Sequence, residues 1–224
     1  MRNRIRLFVL IFLVLILVGL ALWVIWFVTR PVTPTSPLQE QSAPQQQEQP
    51  VQKSDLMYHP PARTKTFGCV IVHSMPDPAC TPGGVDTSLT LEIICTQKTK
   101  ERRNTTKAID DETFAEYGLS RKGNIKYEND HHISIEIGGS DNDINNHWPQ
   151  RYENEQKLKA GKLSDDELGA HAKDKVENWF HQRVCKTWAG TAGPDEVLSL
   201  ADAQRMIATN WVAAYHEWEH RNKH

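Results

Sequence analysis

The sequence predicts an α+β fold in a chain of three parts. These are an N-terminal transmembrane helix, a disordered linker, and a small disulfide-stapled domain with a hairpin–helix unit and a C-terminal docking helix. Three observations predict it. Residues 7–28 form an unbroken apolar run. All four cysteines, Cys69, Cys80, Cys95 and Cys185, lie well beyond that run. In "YENDHHISIEIGGSDNDINNHWPQ", Tyr127 to Gln150, strand-like alternation meets a Gly-Gly turn, and two helical patterns follow.

Leu7 to Val28 is a run of 22 residues in which only Gly19 interrupts the large side chains. At about 1.5 Å per residue it spans a hydrocarbon core of about 30 Å. Trp23 and Trp26 sit near its far end, where aromatic rings favour the membrane interface. A cleaved signal peptide would have a shorter apolar core and a small-x-small cleavage site. The run instead ends in "WVIWFVTRPV". Arg2, Arg4 and Arg6 precede it and only Arg30 follows closely. The positive-inside rule therefore predicts a cytoplasmic tail of residues 1–6, an anchor over 7–28 and everything else outside the membrane. Residues 29–56 are rich in Pro, Gln and Ser and read as a disordered tether.

Residues 57–224 are then the folded domain. The anchor and its flanks hold four of the 26 basic residues, leaving 22 against 28 acidic ones in everything beyond residue 30, linker included, a net charge of −6. No global positive field attracts nucleic acid. A local basic stretch, "QKTKERRNTTK", with Lys98, Lys100, Arg102, Arg103 and Lys107, is either a solvated face or a phosphate track. No cysteine pair has zinc-finger spacing, so two disulfides are expected, one reaching Cys185.

Along the domain, "FGCVIVHSM" (Phe67 to Met75) and "SLTLEIICT" (Ser88 to Thr96) read as strands separated by turn-rich sequence. "DDETFAEYGL" reads as a short helix stopping at Gly118. His131 to Ile137 reads as a strand with His131, Ile133, Ile135 and Ile137 on one face, ended by Gly138-Gly139. Ser164 to Glu167 is a capping box opening a helix that runs to about Cys185. That helix has an apolar side (Leu168, Ala172, Val176, Trp179, Phe180) and a polar stripe (His171, Asp174, Asn178, His181). A second helix starts near Ser199 and carries Leu200, Ile207, Trp211 and Trp218 as docking residues.

These residues include the parts of a metal-dependent phosphodiesterase. Asp130 is a hairpin ligand, His131 a general base, and Asn146 a brace for the hairpin. Asp174 and Asn178, an i, i+4 pair, can converge on one ion, with His171 as a spare ligand. A hard cation stabilises charge on phosphate oxygens, and an imidazole takes the proton from water. Zinc bound by His131, His132 and His147 with a helix residue is the competing arrangement, although neighbours on a strand point oppositely.

The segment "NDHHISIEIGGSDNDINNHWPQ" resembles the D-H-x-I-x-L-E-x-G-G…N-L-W-P-Q pattern of bacterial HNH-like, ββα-metal endonucleases. "DPACTPGGVD", "EIIC", "GAHAKDKVENWFHQRVC" and "SLADAQRMIATNWVAAY" resemble other blocks of a group of small extracytoplasmic bacterial proteins. The likeness spans about Asp77 to Tyr215. It implies a ββα-metal-like unit with Asp130 as metal-binding acid, His131 as base and Asn146 as structural Asn. The metal-binding helix would be the one bearing Lys173-Asp174 and Glu177-Asn178. His132 and His147 stand where the pattern has aliphatic residues, and Ser134 where Pro is common, so the base is His131 or His132. The expected activity is metal-dependent nuclease action on DNA or RNA, with Mg, Mn or Zn, outside the bacterial cytoplasmic membrane. The alternative is a non-catalytic module that binds an envelope protein or cell-wall polymer.

Overall fold

The computed structural model describes residues 57–122 and 125–222. These lie in one compact unit, Gln49–His224. The expected cytoplasmic tail, anchor and linker fall outside the described residues. Among the described residues no helix is long and apolar enough to cross a membrane.

The unit is mixed α+β, as expected. In chain order it contains α1 (Leu91–Thr96), α2 (Thr99–Arg102), α3 (Lys107–Glu116), β1 (Tyr127–His131), β2 (His147–Arg151), α4 (Glu155–Lys159), α5 (Ala170–Trp188) and α6 (Leu200–Asn222), with single 3₁₀ turns between them. β1 and β2 form a two-stranded antiparallel ribbon in which Asp130 pairs with Trp148 and His131 with His147. α5 packs along α6, and their apolar sides enclose Ile94, Ile133 and Ile137. Leu168, Ala172, Val176 and Phe180 are buried there as the helical spacing predicts, and Trp211 is fully buried on α6. A smaller cluster gathers Cys69, Cys80, Tyr117 and Trp148.

Three expected elements come out differently. Ser88–Thr96 is no strand: Thr90 caps Ile93 N at 3.2 Å and starts α1. Leu91, Ile94 and Cys95 pack toward the core at helical spacing, which the period-2 reading of the same residues hid. Phe67–Met75 contains only an isolated bridge between Val72 and Met75, closed over His73 and Ser74, both at positive φ. The strand expected over His131–Ile137 ends at His131. Ile133, Ile135 and Ile137 are all buried, but on a loop and a 3₁₀ turn that Ser134 caps. Gly138 closes that turn at φ +82°, and a Cβ on Gly139 would stand 1.8 Å from the Ile133 carbonyl oxygen.

The capping box also forms, with Glu167 accepting from Ser164 N at 3.1 Å, but it closes only a 3₁₀ turn at Asp165–Glu167. α5 begins at Ala170 and is capped from elsewhere in the chain. The buried Glu153 carboxylate accepts from His171 N (3.2 Å) and Ala172 N (2.6 Å). α6 starts where expected and breaks at Asn210, whose side chain caps Ala213 N at 3.0 Å and begins the helix again.

Both disulfides are present, Cys69–Cys80 and Cys95–Cys185. The second closes 90 residues and ties α1 to α5. Removing it by the double replacement Cys95→Ala and Cys185→Ala should cost about 4 kcal/mol, because a loop of that length gains much entropy when unfolded and unbridged. Urea denaturation of oxidised wild type beside the double variant measures this. An unchanged midpoint would show that the bridge does not constrain the unfolded chain.

Candidate functional site

The ribbon delivers its side chains to one place because the loop between its strands is pinned. Asn146 is fully buried. Its side-chain oxygen accepts from Ile133 N (2.8 Å) and Gly84 N (3.1 Å). Its amide donates to the carbonyls of Ile133 and Ser140, both at 2.9 Å. One side chain thus meets the backbone of three separate segments. It takes over the bonds that a continuing strand would have given Ile133, which is why β1 stops at His131.

His131, at the end of β1, is buried, and its Nε2 lies 2.8 Å from Asp141 Oδ1. Asp141 also accepts from Thr105 Oγ1 at 2.6 Å and from the backbone N–H of Asn104. Burial works to raise its pKa. The hydrogen bonds from His131, Thr105 and Asn104 outweigh burial and hold it well below the usual carboxylate range. An ionised Asp141 takes the proton-bearing nitrogen of His131, so the neutral ring carries its lone pair on Nδ1.

The neighbouring histidines are engaged differently. His132 Nε2 lies 3.0 Å from the Ala208 carbonyl, and burial pushes its pKa down to about 3. His147 meets the Asp141 carbonyl through Nε2 at 3.0 Å, and its ring centroid is 4.4 Å from that of His131. Burial, then the His131 charge, lowers it to about 4.

Asp130 faces α5. The Lys173 ammonium, wholly buried, lies 2.7 Å from Asp130 Oδ2 and 2.7 Å from the His131 carbonyl, and it also pairs with Glu177. Burial would raise Asp130, but Lys173 prevails and keeps it ionised. One ammonium cannot satisfy two carboxylates equally. Burial and the nearby Asp130 charge push Glu177 up to about 7 despite Lys173.

These residues border a cleft of ≈ 320 Å³. Glu128, Asp130, Glu136, Asp174 and Glu177 line it, as do His131 and His171. Glu128 and Asp174 are raised by burial, and each is raised further by the Asp130 charge. Arg103 and Thr99 form another wall, because Arg102 on α2 donates to the Ile135 carbonyl at 2.9 Å and docks the basic stretch on the 3₁₀ turn.

The fold therefore brings Asp130, His131, Asp174 and His171 to one cleft. Asn146 stands behind it as a brace. Asn178 is exposed, does not line the cleft, and donates to the Asp174 carbonyl at 2.7 Å. Among the described residues no three His, Cys, Asp or Glu side chains form a group that could hold a metal ion.

Asp141, Lys173 and Glu177 are the participants that sequence reasoning did not single out. Asp141 sits in a Ser-Asp-Asn-Asp turn, and nothing in its spacing separates it from Asp143, which caps Asn145 N at 3.0 Å. Lys173 and Glu177 carried a usable signal: an i, i+4 pair at the border of the apolar side, not on the polar stripe. No family model, curated protein or solved structure matches the chain.

Two outcomes are expected. Lys173→Met removes the ammonium that most strongly keeps the half-buried Asp130 ionised, and it should destabilise the domain by about 3–5 kcal/mol in chemical denaturation. A loss under 1 kcal/mol would mean the ammonium is not needed. Asp141 has a folded pKa below its ordinary 3.8. Its stabilisation is present above about pH 4 and is lost as pH falls below that. Asp141→Asn should therefore flatten the acid limb of a stability–pH profile; parallel acid limbs would refute the assignment.

Proposed function

We propose that the chain is a divalent-metal-dependent nuclease of the HNH-like, ββα-metal kind, tethered in a bacterial cytoplasmic membrane and acting outside it on DNA or RNA. The observation that carries this is a shared cleft. The Asp130–His131 end of a braced antiparallel ribbon and Asp174 of the following long helix open on the same space. Arg103 on its wall supports the phosphate-track reading of the basic stretch, at a place where a local positive charge offsets the acidic surroundings.

The donor set suits a hard cation. The cleft offers carboxylate oxygens, not the three or four nitrogen and sulfur ligands that zinc prefers, and magnesium or manganese keeps several waters and needs only one or two carboxylates besides phosphate. Asp130 and Asp174 are the residues that would hold it. Such an ion would supply positive charge to the phosphate and its leaving oxygen. The chain's own residues do the rest. Asp141 holds His131 in the tautomer whose Nδ1 accepts a proton from water. Asn146 keeps the base at the mouth of the loop, and Arg103 attracts the substrate backbone.

One observation favours a second reading, a non-catalytic module that binds an envelope protein or wall polymer. Asp130 already has a cation, the Lys173 ammonium. A stability measurement with and without EDTA separates the two, since a metal-dependent site is stabilised by its ion.

The direct test is to incubate the full chain in detergent with plasmid DNA or RNA and Mg²⁺ or Mn²⁺. Cleavage should appear, fall by about 10²–10⁴-fold in His131→Ala, and fall in Asp174→Asn, an exposed change that spares the core. No cleavage by wild type with either metal, or undiminished cleavage by both variants, would sink the proposal.

A further inference from the structure

A second pocket, of ≈ 240 Å³, lies on the β2 side of the ribbon and takes no part in the chemistry above. Its walls include Ile71, Tyr127, Trp148, Gln150, Arg151 and Leu168. Buried polar side chains in folded proteins are nearly always hydrogen-bonded. Here three neighbours along one strand break that rule. Gln150 is completely buried, and among the described residues neither its Oε1 nor its Nε2 has a partner. Trp148 is 1% exposed, and its indole N–H has none. Arg151 Nε is buried and equally without one, although its Nη1 donates to the Asp166 carbonyl at 3.2 Å.

Together these groups offer a donor and an acceptor on one flat amide edge, with further N–H donors beside it. Apolar and aromatic walls surround them. The rim is held rigid. His73 and Ser74 both adopt positive φ, which costs energy for residues other than glycine. Ser74 Oγ lies within hydrogen-bond distance of the carbonyls of Asp165 and Leu168, and Trp211 Nε1 donates to the Ser74 carbonyl at 2.8 Å. The volume lies below the range of drug-sized ligand sites, so the fitting ligand is a single small ring system.

The register locates this pocket against the cleft. Gln150 pairs with Glu128, and Trp148 with Asp130. The backbones of these paired residues are one strand spacing apart, about 4.8 Å, so the two sites adjoin along the ribbon. We infer that this pocket is a nucleobase subsite, in which the Gln150 carboxamide reads the edge of an unstacked base and the Trp148 indole N–H donates to it. A peptide amide offers a similar edge, but not a ring to fill aromatic walls. The inference rests on the nuclease proposal for its substrate class, and it adds that the enzyme takes a base out of its stack beside the phosphate it cuts.

The test uses uncharged nucleosides, which carry no phosphodiester, without metal. The ¹⁵N-labelled full chain in detergent is titrated with adenosine, guanosine, cytidine and uridine, and with ribose and acetylglycine amide as controls. At least one nucleoside should shift the Trp148 indole resonance saturably, identified by its loss in Trp148→Phe. Gln150→Leu removes both polar atoms at similar volume and breaks no hydrogen bond of the fold. It should weaken binding by about tenfold. If that variant fails to fold, Trp148→Phe, followed on the remaining resonances, replaces it. Absence of saturation for all four nucleosides leaves the pocket to water and overturns the inference. So does equal binding of acetylglycine amide, or unchanged affinity in the variants. Plasmid cleavage without nucleoside binding removes the subsite and spares the nuclease. Nucleoside binding without cleavage does the reverse.

Discussion

The site depends on one buried ammonium. Lys173 reaches from α5 to Asp130 and to the carbonyl of His131, and it shares Glu177 on its own helix. The cation is expensive to bury alone, and each of the two carboxylates would be too. Together they are tolerable, and the geometry that makes them so also sets the ribbon against the helix. A shift of α5 along its axis would part the ammonium from Asp130 and from the His131 carbonyl. This explains why a two-stranded ribbon, which is marginal by itself, holds a defined place. It also explains why the half-buried Asp130 stays ionised while Glu177 yields.

The second constraint is Asn146, which gives the loop 132–146 its path. An apolar side chain there would leave the N–H groups of Ile133 and Gly84 and the carbonyls of Ile133 and Ser140 to find other partners in a dry interior. The loop in turn brings Asp141 back to His131. Lys173 thus orients the ribbon against its helix, and Asn146 orients His131 against Asp141. The cleft exists where these two devices meet.

Much of this was legible in the sequence, and the illegible part has physical causes. Helical spacing found the apolar side of α5 and the docking helix, since burial imposes a period on long segments. Four cysteines, none with zinc-finger spacing, implied two bridges, one reaching Cys185. Asn146 as a brace and the Asp130–His131 pair stood out by residue type. Ile133, Ile135 and Ile137 misled, because burial of alternate residues does not require a strand when a side chain can serve the backbone. Leu91, Ile94 and Cys95 hid a helix within an alternation too short to separate the two periods. Asp141 could not be chosen over Asp143 by spacing. Lys173 is named only as part of the candidate metal-binding helix, because a lysine beside acidic residues usually faces water and its burial cannot be read from type. Gln150 drew no attention either; its oddity lies in what surrounds it, which only a fold displays.

The bridge between Cys95 and Cys185 has a bearing on when the cleft takes shape. Cys95 lies four residues before Thr99 and eight before Arg103, which form one wall, and Cys185 is on the helix that carries Asp174 and Lys173. Until those thiols pair, the wall and the helix are joined only by noncovalent packing. Oxidation of this pair therefore fixes the wall and the helix against each other. A chain whose thiols are still reduced carries the loosest version of its cleft, and only an oxidising compartment closes the bridge.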